Sequence, residues 1–354
     1  MQLTAISVFF ILVSCNKERD IDGNSILKGP INTLNFNSIA FIPSQNALTF
    51  HTIAYGRLTT EGRPTKELHS TGWTHPSVLY FKNKWNKYFY WAALTPYPFT
   101  DSQYENPHIF CSNDGVNWIE PGGSKNPIEP CPEGKGFNSD VNLLLNDNVL
   151  YCYWRATEAS HRAIYVKKST DGVTWGEKKL VCVMNYDLID VISPAFIKDE
   201  GKFYCYAVNK ETSAGPYYTR YAIRRMISEN PEEFNPDKEK GYDLVKIEGN
   251  PWGQGQEPWH LEVKKLNNAW IMLVSTTNLN GHGTGGRLFM GYSLDGLSFK
   301  FGDKPICNLS SSTYKSSFHP NLDILKRKIN IEMWRASMGW GWVVFADKFS
   351  IKIN

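Results

Sequence analysis

One seven-residue phrase recurs three times in the chain and restricts its fold more than any other feature. Ser112-Asn113-Asp114-Gly115-Val116-Asn117-Trp118, Ser169-Thr170-Asp171-Gly172-Val173-Thr174-Trp175 and Ser293-Leu294-Asp295-Gly296-Leu297-Ser298-Phe299 all read S-x-D-G-x-x-aromatic. Each follows a run of alternating apolar residues, and Asp-Gly between two such runs is a strong hairpin signal. A second recurrence opens each unit: His75-Pro76-Ser77-Val78, Asp140-Val141-Asn142-Leu143, Ser193-Pro194-Ala195-Phe196, His260-Leu261-Glu262-Val263 and His319-Pro320-Asn321-Leu322. A polar turn and an aromatic-rich strand follow each of them. The starts at 75, 140, 193, 260 and 319 are separated by 65, 53, 67 and 59 residues. Five similar β units without a competing amphipathic helix predict an all-β chain, a five-bladed β-propeller.

The fifth unit is one strand short, so a closed ring must borrow a strand. The segment Leu34 to Ala54, with apolar runs at Ile39–Ile42 and Leu48–Phe50, is the expected donor for blade 5, which would remove an exposed sheet edge. Residues 30–354 are thus read as one propeller domain. Ahead of it, Ala5 to Val13 is too short to span a bilayer. It ends at Leu12-Val13-Ser14-Cys15, which resembles a bacterial lipobox. Residues 1–15 are therefore expected to be a lipoprotein signal with Cys15 acylated, and 16–29 a tether. Lipid alone would then hold the protein in the cell envelope, at the outer membrane, facing the periplasm or the surface. A net charge of +3 on 354 residues gives no basis for a nucleic-acid surface. The six other cysteines show no metal spacing, and Cys111, Cys152 and Cys205 sit in strand patterns, so buried thiols are expected.

Strand alternation places the first and third residues of each innermost strand on the central channel. The first ring is then His75, Asp140, Ser193, His260 and His319, and the second Ser77, Asn142, Ala195, Glu262 and Asn321. Nine of these ten are polar while their neighbours are apolar, which marks the funnel as a candidate site. The second strands exit at the same face through Thr95, Arg155, Asn209, Thr277 and Arg335. Arg155 and Arg335 lie in matching Trp-Arg-Ala phrases, and their planar donors suit either an acidic ligand or structural carboxylates. Mouth loops carry Tyr104, Glu105, Trp252, Glu257 and Trp259, residue types that stack on sugars or bind hydroxyls.

These phrases resemble the five-bladed propeller glycosidases of glycoside hydrolase family 43, and the S-x-D-G turns are similar to the Asp-boxes of sialidases, where the Asp is structural. Bacterial and phage propellers carrying His75-Pro76-Ser77-Val78 and Thr95-Pro96-Tyr97-Pro98 are similar as well. The resemblance implies a glycoside hydrolase acting on a polysaccharide or oligosaccharide, or a non-catalytic glycan-binding lipoprotein on the same fold. It also implies an Asp base before Pro on blade 1 and an orienting Asp on blade 3, where this chain has His75 and Ser193 with Asp190 nearby, and a Glu acid on blade 4 near the position of Glu257-Pro258. Two carboxyl groups are needed for glycoside hydrolysis. Glu257 is the expected acid and Asp140 the base, with Glu262 and Glu105 as further carboxylates. His75, His260, His319, Arg155, Arg335, Glu105, Tyr104, Trp252, Trp259 and Asn142 are the expected substrate contacts. No cofactor is assigned. Related propellers hold a calcium ion beneath the site, and three channel histidines could take a transition metal. The oligomeric state is left open.

Overall fold

The computed structural model describes residues 31, 33–50, 52–55, 67–69, 72–132, 134, 136–158, 161–184, 190–210, 221–237, 241–249, 251–279, 285–307, 313–338 and 341–354. Cys15 lies outside them. Five antiparallel sheets are arranged as a β-propeller, and the described residues contain no helix beyond three short 3₁₀ turns. Blade 1 is Trp73–Trp85, Tyr88–Pro96 and His108–Ser112, and blade 2 is Phe137–Asn146, Val149–Thr157, Arg162–Ser169 and Lys179–Met184. Blade 3 is Ile192–Asp199, Lys202–Lys210, Tyr221–Ser228 and Tyr242–Leu244. Blade 4 is Gln256–Leu266, Ala269–Asn278, Leu288–Ser293 and Ser298–Phe301, with Lys246–Ile247 added in parallel.

Blade 5 holds Thr313–Asp323, Lys328–Met338 and Trp342–Ile353, and its fourth strand comes from the other end of the chain. That strand is Leu34–Asn35, paired with Ile353 and Lys352. The closure is as expected, but the pairing residues precede the two apolar runs. Phe41 instead packs edge-on against Phe349, while Ala47 and Phe50 bridge to Phe345 and Trp118.

The repeated turns have a physical reason. In each, the Asp carboxylate accepts backbone N–H groups of its own turn, as Asp114 does from Val116 (2.9 Å) and Asn117 (2.7 Å). The Gly then fits under an aromatic ring of another strand. Gly115 lies under Trp334 of blade 5, whose indole N–H donates to the Gly115 carbonyl at 2.9 Å. Gly172 lies against Trp91 of blade 1, and Gly296 against Tyr206 of blade 3, whose hydroxyl donates to the Gly296 carbonyl at 2.6 Å. The phrase therefore recurs because each turn caps the blade before it. The six described cysteines are buried thiols.

The innermost strands are joined side to side. Ser317 Oγ accepts from Val78 N (2.9 Å), Ser77 Oγ from Leu143 N (2.9 Å), Asn142 Oδ1 from Phe196 N (2.9 Å) and Ser193 Oγ from Leu261 N (3.1 Å). This collar links blades 5 to 1, 1 to 2, 2 to 3 and 3 to 4. It is the rigid frame on which the site sits.

Candidate active site

Every innermost strand breaks register at the mouth. The breaks fall between Thr74 and Ser77, Ser139 and Asn142, Ile192 and Ala195, Pro258 and His260, and Thr313 and Ser316. A bulge re-aims the side chains it carries. In blades 1 to 3 the bulged residue takes the left-handed conformation, with φ of 52° at His75, 54° at Asp140 and 52° at Ser193. For a non-glycine residue that costs about 1–2 kcal/mol, and such strain concentrates at functional sites.

Three bulges bring His75, Asp140 and His260 together, with one candidate ligand atom from each within 4.8 Å of the others. His75 Nε2 is 3.5 Å from Asp140 Oδ1, and His260 Nδ1 is 3.2 Å from the same oxygen. Neither Asp140 Oδ1 nor either His260 nitrogen makes an aligned hydrogen bond. Thr95 Oγ1 meets His75 Nδ1 at 2.6 Å and so turns Nε2 inward. Burial lowers the His75 imidazole to about 3 and lowers His260 as well. Burial alone would raise the Asp140 carboxyl, but His75, His260 and the Arg155 guanidinium hold it well below its usual range.

A charged arc continues on the side of blades 1 to 3. Arg155 Nη1 lies 3.9 Å from Asp140 Oδ2, and its Nη2 lies 3.1 Å from Asp190 Oδ1. Arg162 also pairs with Asp190. Glu105 Oε1 stands 3.7 Å from His75 Nδ1. Burial, and then the Asp140 charge, push the Glu105 carboxyl well above its usual range. The opposite side is aromatic. The Tyr314 ring centroid lies 4.1 Å from that of His260 and 5.3 Å from that of His75. Trp342 packs on Tyr314 at 4.5 Å, Trp259 on His260 at 5.7 Å and Tyr221 on Trp259 at 5.4 Å.

The two His and one Asp of this cluster were legible as ring residues, and Arg155, Glu105 and Trp259 do border it. Other expected contacts sit elsewhere. His319 is four residues beyond the blade 5 bulge, against Tyr80 at 4.6 Å, and lines a cavity of about 260 Å³ at the far end of the channel. Tyr314 takes the ring position expected for it. Arg335 is buried within blade 5 with its Nε 2.7 Å from Asp347, so its Trp-Arg-Ala phrase serves packing at that position. Trp252 packs edge-on against Phe289 (5.7 Å) and Phe301 (5.0 Å) in the core between blades 3 and 4. Tyr104 and Glu257 are buried, Glu257 on the strand paired with Thr277. Glu262 and Asn142 form a layer beneath the cluster, where Asn142 Nδ2 donates to Glu262 at 3.2 Å and Lys264 Nζ contacts Glu262 at 2.7 Å.

Tyr314 and Lys315 were missed. A signal for them existed: Thr313-Tyr314-Lys315-Ser316 repeats the pattern of Thr74-His75-Pro76-Ser77 and Ser139-Asp140-Val141-Asn142.

No family model matches the chain. The crystal structure of an N-acetylgalactosamine deacetylase from F. plautii, in complex with blood group B trisaccharide, aligns over 88% of this chain and 95% of that one. Its TM-score is 0.70 at 19% identity. A thermostable family-43 glycoside hydrolase aligns over 78% of this chain and 89% of its own, with TM-score 0.57 and 16% identity. The fold is that of the five-bladed propeller glycosidases. In sequence, the A type blood N-acetyl-α-D-galactosamine deacetylase of Flavonifractor plautii is 25% identical over 292 residues, which is 70% of this chain. The alignment spans only 37% of that longer protein. The surrounding fold is thus one that carries glycan-active enzymes.

Proposed function

We propose that the protein is a glycan-directed hydrolase that uses a divalent cation held by His75, Asp140 and His260, and that it removes an acyl group from a sugar. One observation carries this reading: two imidazoles and one carboxylate converge from three blades, with the buried Asp140 Oδ1 and both His260 nitrogens in no aligned hydrogen bond. Buried polar atoms in that state are costly unless something lies between them. Two His and one carboxylate form a donor set suited to first-row divalent metals. A cation bound there would polarise a carbonyl oxygen and acidify a water.

The chain's own residues supply the rest. Thr95 keeps His75 Nε2 facing inward, and Arg155 keeps Asp140 ionised and oriented. Glu105, whose carboxyl burial and the Asp140 charge push well above its usual range, is the group we assign to take a proton from the attacking water and return it to the leaving group. Tyr314 and Trp259 offer apolar faces to a sugar ring. The deacetylase likeness supports acyl cleavage.

A second reading is O-glycosyl hydrolysis by carboxylates alone, with Glu257 or Glu105 as acid and Asp140 as base. The opposed shifts of Glu105 and Asp140 favour it, since glycosidases separate two carboxyls in this way. Incubating the chelator-stripped and Mn²⁺-reloaded protein with N- and O-acetylated glycans separates the two. Acetate release that needs the cation and disappears in Asp140→Asn is expected. New reducing ends that persist in chelator would establish the glycosidase instead, and binding without either product would make the protein a lectin. Acylation at Cys15, and with it envelope anchoring, is proposed separately and is tested by fatty-acid labelling of the parent and Cys15→Ala.

A further inference from the structure

Lys315 is a lysine with no exposed surface, set in the channel wall just under the cluster. It occupies the second bulge position of blade 5, where blades 1 to 3 carry Pro76, Val141 and Pro194. Lysine is almost never fully buried without partners. An apolar residue, as in those three blades, would close the channel without burying a charge. What the ammonium does is therefore visible in its contacts. Nζ reaches across to blade 2 and donates to the Val141 carbonyl at 2.6 Å. The carboxylates that attract it are Glu262 below and Asp140 above. Val141 directly follows Asp140, whose left-handed φ of 54° aims its carboxylate at His75 and His260. A conformation of that kind persists only where its surroundings over-determine it.

We propose that Lys315 is a positioning residue, holding the Val141 carbonyl so that the strained turn presents Asp140 to the two histidines. It acts from blade 5 on a ligand carried by blade 2, and touches neither substrate nor cation. The proposal rests on the cation reading given above only for its functional consequence.

The test is Lys315→Met, with Mn²⁺ affinity measured by calorimetry, kcat and KM measured on an acetylated glycan, and a crystal structure of the variant. Loss of a group that orients a ligand typically weakens metal binding by roughly 10- to 100-fold. The expected result is Mn²⁺ affinity at least about tenfold weaker, kcat reduced by a similar factor, and KM within about twofold, with Asp140 displaced from His260 in the crystal. Mn²⁺ affinity and kcat both within about twofold of the parent, with Asp140 in place, would overturn it. Should the parent bind no divalent cation, the cation reading fails by itself, and the crystal structure still decides whether Asp140 depends on Lys315. If Lys315→Met does not fold, Lys315→Gln replaces it: the amide stops short of the carbonyl and is more easily hydrated, and the same readouts apply.

Discussion

His260 Nδ1 stands 3.2 Å from Asp140 Oδ1, joining residues 120 positions apart from blades 4 and 2. The pair is fully inside the protein, and His75 of blade 1 reaches the same oxygen at 3.5 Å. Three blades thus share one carboxylate oxygen. Such an arrangement requires the innermost strands to be held in register, which the seryl and asparaginyl links from blade 5 through blade 4 provide.

Glu105 is the carboxyl assigned to proton transfer. Its pKa is raised by burial and by the Asp140 charge, so the ionised, base-competent form grows as pH rises through that raised value. Activity should climb along a single basic limb. Glu105→Gln should lose on the order of 10²–10⁴ in kcat and lose that limb with it. A pH–rate profile of both proteins checks this, and an unchanged limb in the variant would assign the proton to another group.

Trp259 is partly exposed beside His260, and stacking of an aromatic ring is worth about 0.5–1.5 kcal/mol. Trp259→Ala should therefore raise KM for a glycan by about two- to twelvefold while kcat changes little. Trp252→Ala is the contrast. Its ring lies in the core, so the change should lower the melting temperature first. Steady-state kinetics and thermal melts of the two variants separate surface stacking from packing.

Gly172 has φ of +75° and its added methyl would overlap the Trp91 indole. Both backbone strain and overpacking then oppose a side chain. Gly172→Ala should destabilise the fold by about 3 kcal/mol. Gly123, at φ +86° with only the Val173 side chain nearby at 3.6 Å, pays the backbone part alone, so Gly123→Ala should cost less. Urea midpoints of the two variants give the comparison.

The turn aspartates predict a loss of stability in acid. Burial raises the Asp114 carboxyl, but together the N–H donors of Asn117 and Val116 and the Ser112 hydroxyl outweigh it and bring it down to about 2, and Asp295 likewise to about 2. A carboxyl depressed in the fold stabilises it above its unfolded value near 3.9, and that contribution is lost as pH falls from about 4 toward 2. Denaturant midpoints at pH 5 and pH 3 should differ less for Asp114→Asn than for the parent. Equal differences would mean that these turns do not govern the acid limb.

The five-unit architecture, the S-x-D-G turns and the polar funnel were all legible in the sequence, because each depends on local spacing. A hairpin turn needs its Asp and Gly at fixed offsets, and a strand reports its two faces by alternation. His75, Asp140 and His260 could be placed on the channel for that reason. His319 was misplaced because His319-Pro320-Asn321-Leu322 repeats the phrase of His75-Pro76-Ser77-Val78, although the bulge lies at Tyr314 and Lys315. A one-residue register shift redirects every side chain beyond it, and no alternation pattern shows where the shift falls. Only the closed ring decided which polar residues meet. It set Arg335 Nε against Asp347, put Trp252 among Phe289 and Phe301, and left Asp140 facing two imidazoles. Those partners are set by where five sheets pack, and the packing draws on residues far apart along the chain.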